Sequence, residues 1–454
     1  MRIRAAITML LLLCTGLAAA APRVDTWRHV SGAQVALVGS PGIPMLDVRL
    51  DFDGGSRRDP TAQAGLAAAA ALMSERGLAA HGSEPELDEN QLTERWMDLG
   101  AQWSVSAGTD RLSASLRTLT DADVLPAAVA LAARQLAQPR WTGEAAQAVW
   151  QRERERLSAA WRNARTQPGT IAQLRFAAAV YGAHPYGQEF TPDTLGRISL
   201  ADMQAHWQRH VKPCHARISL VGAVTRAQAE DIVSRLMAPL ADIRAPGAGQ
   251  GAACPALPLV PEVLPLATAQ DIRVPLATAQ AHVLLGQPGH ARRDPDYFPL
   301  LLGNYILGGG GFVSRLTTEV REKRGLSYGV YSYFAPGMHA GAFMVGLQTR
   351  PDQAAQALAV ARDVVQRFVA EGPTEAELSA AKDFMVNGFA LRIDTNRKLL
   401  DNVANMVWHG LPPDYLQTWT QAMQAVTAAD IRRAFARVLQ PERMVSVTVG
   451  GRGE

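Results

Sequence analysis

The chain has 454 residues, of which 48% are hydrophobic and 19% charged, with a formal net charge of +3. This length exceeds what one ordinary core fills, so two domains of about 200 residues each are expected, and the composition excludes a disordered chain. The basic residues are scattered, without long runs or interleaved aromatics, which excludes a dedicated nucleic-acid binder.

Residues 1–21 read as an export signal. Arg2 and Arg4 supply the positive start, and the apolar run from Ala5 to Leu17 is too short to span a bilayer. Ala18 and Ala20 supply an A-x-A cleavage pattern. Leu13 ahead of Cys14 suits a lipoprotein signal poorly, so lipid anchoring is not expected. No later stretch is apolar enough for a transmembrane helix, and the mature chain is expected to be exported and periplasmic. Of the three cysteines, Cys14 leaves with the signal. Cys214 and Cys254 remain, and an oxidising compartment permits a bridge between them, although sequence does not decide between a disulfide and two thiols.

"MLDVRLDF" (45–52) alternates as a strand does. After the polar turn "DGGSRRDP" (53–60) comes "GLAAAAALM" (65–73), a helix with almost no chemistry. A long polar helix, "WQRERERLSAAWRNARTQPG" (150–169), precedes the turn "AHPYGQ" (183–188), in which His184 is read as shaping a loop. "HWQRH" (206–210) places two histidines at i, i+4, a metal-compatible spacing, but no Glu lies between them and no third ligand is implied. A packed or surface helix face is the plainer reading.

A stretch rich in Gly, Pro and Ala, residues 245–262, reads as a linker and divides the chain near its middle. The halves repeat one another. "SLADMQAHWQRHVKPCHARISLVG" (199–222) aligns without gaps on "TAADIRRAFARVLQPERMVSVTVG" (427–450), "RRDP" occurs at 57–60 and 292–295, and residues 116–136 parallel 347–368 as strand, turn and amphipathic helix. A duplicated α+β domain is expected. In the second half the run Gly308–Gly311 lacks both the Lys-Ser/Thr of a phosphate loop and the spaced glycines of a dinucleotide site. "REKR" (321–324) reads as a helix end stopped by Gly325, with Tyr328 beginning a strand.

"LGGGGFVSRLTTEVREKRGLSYGVYSYF" (307–334) resembles the C-terminal domain of the pitrilysin/insulinase-like zinc peptidases, which include the mitochondrial processing peptidases. "GGSRRDPTAQAGLAAAAALM" (54–73) resembles that family's G-S-R…G-L-A-H-x-x-E-H-M segment, and "AHPYGQ" its G-H-P-Y-G turn. The resemblance implies two homologous domains of the metallopeptidase (LuxS/processing-peptidase-like) fold, each an antiparallel-rich sheet packed with helices, at 22–244 and 263–454. It also implies that the blank helix is a zinc helix emptied of its chemistry. The two His positions fall at Ala68 and Leu72, the general base at Ala71 and the third ligand at Ala160, with Glu153 surviving where a nearby family Glu sits. Zinc needs three protein ligands and a base for its water, so no metal or cofactor is expected in this chain.

By the same resemblance, Gly308, Gly309, Gly310 and Gly311 form a loop lining the substrate chamber. Arg321 and Tyr328 have the spacing of the family's Arg/Tyr pair, which reaches the zinc site and holds the substrate carbonyl. The implied role is a non-catalytic, substrate-positioning subunit of a heterodimeric zinc peptidase, acting in trans on an unfolded peptide held with a homologous H-x-x-E-H partner that carries the zinc. The alternative is a structural or peptide-binding pseudoenzyme with no part in catalysis.

Overall fold

The computed structural model describes residues 22–241 and 256–451. The expected export signal, residues 245–255 of the expected linker and Cys254 lie outside these. Cys214 is disulfide-bonded.

The first half builds a six-stranded sheet from β1 (Asp25–Arg28), β2 (Gln34–Gly39), β3 (Met45–Phe52), β6 (Gln102–Ala107), β7 (Leu112–Leu119) and β8 (Arg217–Gly222). Two short strands, β4 (Gly77–Leu78) and β5 (Leu87–Asp88), pair beside it. The second half builds a five-stranded sheet from β9 (Gln270–Val274), β10 (Ala281–Pro288), β11 (Val330–Phe334), β12 (Ala342–Thr349) and β13 (Val445–Val449). The spatial orders are β1-β2-β8-β3-β7-β6 and β11-β12-β10-β13-β9. With β1 set aside, the two sheets have the same order and sense. Each has one parallel pair, β2 with β8 and β9 with β13, and every other pairing is antiparallel.

The repeat extends to local detail. The helices Leu200–His210 and Ala428–Val438 both open on reciprocal capping boxes, Ser199 with Asp202 and Thr427 with Asp430. β8 and β13 both end at a glycine with positive φ, Gly222 at +155° and Gly450 at +127°. A Cβ on Gly222 would lie 2.2 Å from the Met45 carbonyl oxygen, and one on Gly450 2.8 Å from Ala281 Cα. Met45 and Ala281 are the first residues of the equivalent strands β3 and β10, so a side chain is excluded at the same crossing twice.

The halves do not pack as separate bodies. The helix Pro168–Tyr181 belongs to the first half but buries Ala172, Phe176 and Val180 against Leu284, Met344, Val445 and Val447 of the second sheet. The helix Asn396–Trp408 of the second half lies across β3 and β8 of the first. There Leu399, Leu400, Val403 and Met406 share a core with Ala36, Val38 and Val221. Polar contacts fix the crossing: Arg49 pairs with Asp401 at 2.8 Å, and Arg111 donates to Asn405 at 2.6 Å. The described end of the expected linker is also tied down, since the Pro258 carbonyl accepts from Arg58 and the Pro261 carbonyl from His184.

Phe176→Ala is expected to cost about 3–5 kcal/mol, as large-to-small core changes do. Because its ring is seated on the opposite sheet, hydrogen exchange should show lost amide protection in β10 and β13. Loss confined to the first half would contradict the shared core.

Candidate functional site

The alanine helix Leu66–Met73 is held at its start by Asp59, whose carboxylate accepts from the backbone N–H groups of Gly65 and Ala67, both at 2.9 Å. Burial pushes Asp59 up to about 7 against the lowering effect of these bonds. The helix packs on the Leu200–His210 helix and on β6. Ala71 is buried, Leu72 half-buried and Ala68 exposed, as is Ala160 on the helix Glu144–Ala164. None of the four has a lone pair to offer. Among the described residues no three His, Cys, Asp or Glu side chains gather as a metal site. Glu153 is buried under Arg76, Arg152 and Arg156 at 3.4, 3.2 and 2.7 Å. Burial alone would raise its carboxyl, but these guanidiniums, Arg156 first, hold it below the usual value. Just past the helix, Glu75 accepts from the Val105 N–H of β6 at 2.9 Å.

"HWQRH" is a packing device. Both rings are buried, 4.5 Å apart, and His206 donates to the Gly54 carbonyl at 3.1 Å. Burial lowers His206 to about 4; burial and then His206 lower His210 to about 3.

The second half holds the remaining chemistry. Gly308 is buried so closely on β11 that a Cβ would lie 2.5 Å from the Ser332 nitrogen. Gly309 is exposed, Gly310 half-buried, and Gly311 exposed with φ +61°. The turns Tyr305–Gly309 and Thr317–Glu322 are wound as π-helix, a form frequent at functional sites. Arg321 lies in the second of them. Its guanidinium is 4.7 Å from the centre of the Phe312 ring and 4.6 Å from that of Tyr328. Lys323 and Arg324 both pair with Glu319, at 2.7 and 2.6 Å. The guanidinium of Arg321 and the hydroxyl of Tyr328 have no hydrogen bond or ion pair among the described residues. Tyr328 is 86% exposed. It borders a cleft of about 890 Å³ with Gln173 of the crossing helix and Gln280, His282, Tyr331 and Gln348 of the second half. The fold thus joins Arg321, Tyr328 and the glycine loop. Ala68, Ala71, Leu72 and Ala160, the positions that the resemblance aligns with a zinc site, lie on helices of the first half.

The "AHPYGQ" turn proves to be a clasp between the halves, a role that its spacing did not reveal. Tyr186 donates to Asp110 at 2.6 Å and accepts from the His339 N–H at 3.1 Å. Asp110 accepts from the Met338 N–H at 2.9 Å, and Tyr181 accepts from the Ala342 N–H at 2.8 Å. His184 caps its own turn by accepting from the Tyr186 N–H and stacks edge-on with His339. The turn therefore grips the hairpin between β11 and β12.

His409, buried beside Arg292, Arg111, Arg293 and Arg217, is lowered to about 3 by burial first and these charges second. His206, His210 and His409 are thus neutral in the fold, whereas the unfolded chain protonates them near 6.5. Stability is lost as pH falls from about 6.5 towards 4, because the unfolded state gains protons that the folded state refuses. Asp59 acts oppositely: it keeps a proton up to about 7 that the unfolded chain releases near 3.8. Taken alone, these four groups give a net uptake of two protons on unfolding and a slope on the order of 2–3 kcal/mol per pH unit. Urea unfolding between pH 4.5 and 6.5 should show it, and His206→Gln should remove roughly one proton's share of the slope. An unchanged slope in that variant would contradict the assignment.

The profile of the family described as peptidase M16 inactive domain matches residues 197–385. The crystal structure of a peptidase M16 inactive domain from Pseudomonas fluorescens is 31% identical, with a TM-score of 0.85 over 95% of this chain and 98% of that one. A protease from Helicobacter pylori shares the fold at 17% identity, with a TM-score of 0.82 over 95% and 100% of the two chains. An uncharacterized zinc protease of Streptomyces coelicolor is 30% identical over 241 residues, 52% of this chain and 50% of that protein. The non-peptidase homolog YmxG of Helicobacter pylori is 32% identical over 158 residues, 34% and 36% of the respective chains. The matched part therefore spans half or less of the length of these two curated relatives. In sequence and in fold, this chain belongs to the peptidase M16 family, and its sequence carries no H-x-x-E-H motif.

Proposed function

We propose that the chain is the substrate-positioning subunit of an exported, periplasmic two-chain zinc peptidase, giving Arg321 and Tyr328 in trans to an H-x-x-E-H partner. The observation that carries this reading is the stacked, outward-facing pair whose donors nothing among the described residues engages. A scaffold has no need of such a pair. The likeness to inactive and non-peptidase M16 proteins supports a role without a metal of its own, and no described helix is long and apolar enough to cross a membrane.

A zinc ion held by the partner would supply the hydrolytic water. This chain's part is to receive the charge that builds on the peptide oxygen. Tyr328 offers an O–H on a short, rigid side chain, already oriented by the guanidinium against its ring. Arg321 offers a fixed fork of donors that stays charged and grips a neighbouring carbonyl. One well-placed donor is worth about 10²–10³ in rate. Gly308–Gly311 would line the path of the peptide beside Phe312.

Tyr328→Phe should lower turnover of the reconstituted pair by about tenfold or more, while size-exclusion chromatography shows normal assembly. Arg321→Ala should weaken substrate binding as well as turnover, since a ground-state contact is lost too. Normal assembly with wild-type cleavage in Tyr328→Phe would favour the structural pseudoenzyme instead.

The purified chain alone should carry far less than one zinc per molecule and cleave no peptide. Ala68→His with Leu72→His should not restore activity, because Ala71 and Ala160 still leave the base and third ligand missing. One tightly held zinc per chain, measured by elemental analysis, would overturn the reading.

A further inference from the structure

The first sheet carries a row of side-chain hydrogen-bond donors that no other side chain or carbonyl among the described residues answers. Arg28 on β1 pairs in register with Gln34 on β2, and Gln34 with Arg217 on β8. Residues directly opposite across neighbouring strands project from the same face. With strands about 4.8 Å apart, the two arginines flank the glutamine at one end of the sheet, within reach of a common small group. All three line a pocket of about 410 Å³ that Arg57, Arg58 and Asp53 also border.

The carboxylates nearby are engaged elsewhere. Asp53 accepts from Arg57 at 2.7 Å and from Arg58 at 2.9 and 2.7 Å. Asp51, which faces Arg217 in register on β3, accepts instead from Ser113 and Arg111. Neither Arg28 nor Arg217 has a hydrogen bond or an ion pair among the described residues. Arg217 is half-buried with its guanidinium 4.5 Å from the centre of the Trp408 ring. That contact presents one flat face to the indole and leaves the N–H edge unanswered. For Arg217, partly withdrawn from bulk water, a guanidinium without an acceptor is costly. With the exposed Arg28 on the other side of the Gln34 amide, in a pocket whose wall holds four arginines and one aspartate, it forms a receptor for negative charge.

We propose that this pocket binds an oxyanion, a carboxylate or phosphate group, gripped by Arg28 and Arg217 with the Gln34 amide donating between them. The forked guanidinium matches both groups by two parallel N–H bonds. The site lies on the first sheet and is independent of the Arg321–Tyr328 pair.

Phosphorus NMR of inorganic phosphate titrated with the full chain tests the site. Saturable binding is expected with a dissociation constant on the order of 1 mM, weakened about tenfold or more in Arg28→Gln and in Arg217→Gln. A short polyglutamate peptide and its glutamine counterpart are the second probes. Displacement of phosphate by the glutamate peptide alone identifies a peptide carboxylate as the natural group, and displacement by neither identifies phosphate. Arg28 is exposed at a strand end, so Arg28→Gln should fold normally, and circular dichroism checks this. Absence of saturable binding of either anion up to roughly 50 mM, or wild-type affinity in a folded Arg28→Gln, would overturn the proposal.

Discussion

Apolar contact between each half's crossing helix and the other half's sheet is the constraint from which most of the architecture follows. A sheet with a bare apolar face must find a cover, and here each half covers the other. Phe176 and Val180 sit on the second sheet, and Leu400 and Val403 sit on the first. Once both helices have crossed, the hairpin between β11 and β12 lies against the "AHPYGQ" turn, and Tyr186, Asp110 and Glu262 complete the junction. The polar contacts there are directional and fix register, while the burial beneath them provides the driving force.

The same demand for packing gives the alanine helix its place. Leu66–Met73 buries six of its eight residues, and alanine at the former base position fits between the Leu200–His210 helix and β6 without needing a polar partner. The chemistry that survives stands on the other half, where two π-helical turns and a left-handed glycine set Phe312, Arg321 and Tyr328 outward.

Much of this was legible from residue patterns. The gap-free alignment of 199–222 with 427–450 anticipated two equivalent helices and β-strands with terminal glycines, because each belongs to a contiguous stretch with its own period and punctuation. The pairing of Arg321 with Tyr328 was implied by the family resemblance and its spacing of seven, but Tyr328 does not begin a strand as expected: it lies in a bend, and β11 starts at Val330. The crossing helices were not legible. Pro168–Tyr181 and Asn396–Trp408 have ordinary apolar faces, and amphipathicity states that a helix has a covered side, not which sheet covers it. The clasp by Tyr186 escaped notice for the same reason, since its partners are 76 and 153 residues away in sequence. The Arg28–Gln34–Arg217 row needed the parallel pairing of β2 with β8, which joins residues from opposite ends of the first half.

β6 is the outer strand of its sheet, and an outer strand offers backbone donors to whatever extended chain arrives. The Val105 N–H on that open side is already taken by Glu75, a half-buried carboxylate whose proton affinity burial raises. An incoming strand would have to evict this carboxylate and face its charge in a poorly solvated position. Trp96, buried, and Trp103, half-buried, stack 5.9 Å apart in the core that backs this strand. One side chain thus acts as a stopper against edge-to-edge growth between copies of the protein, keeping a concentrated solution of it from drifting into fibres.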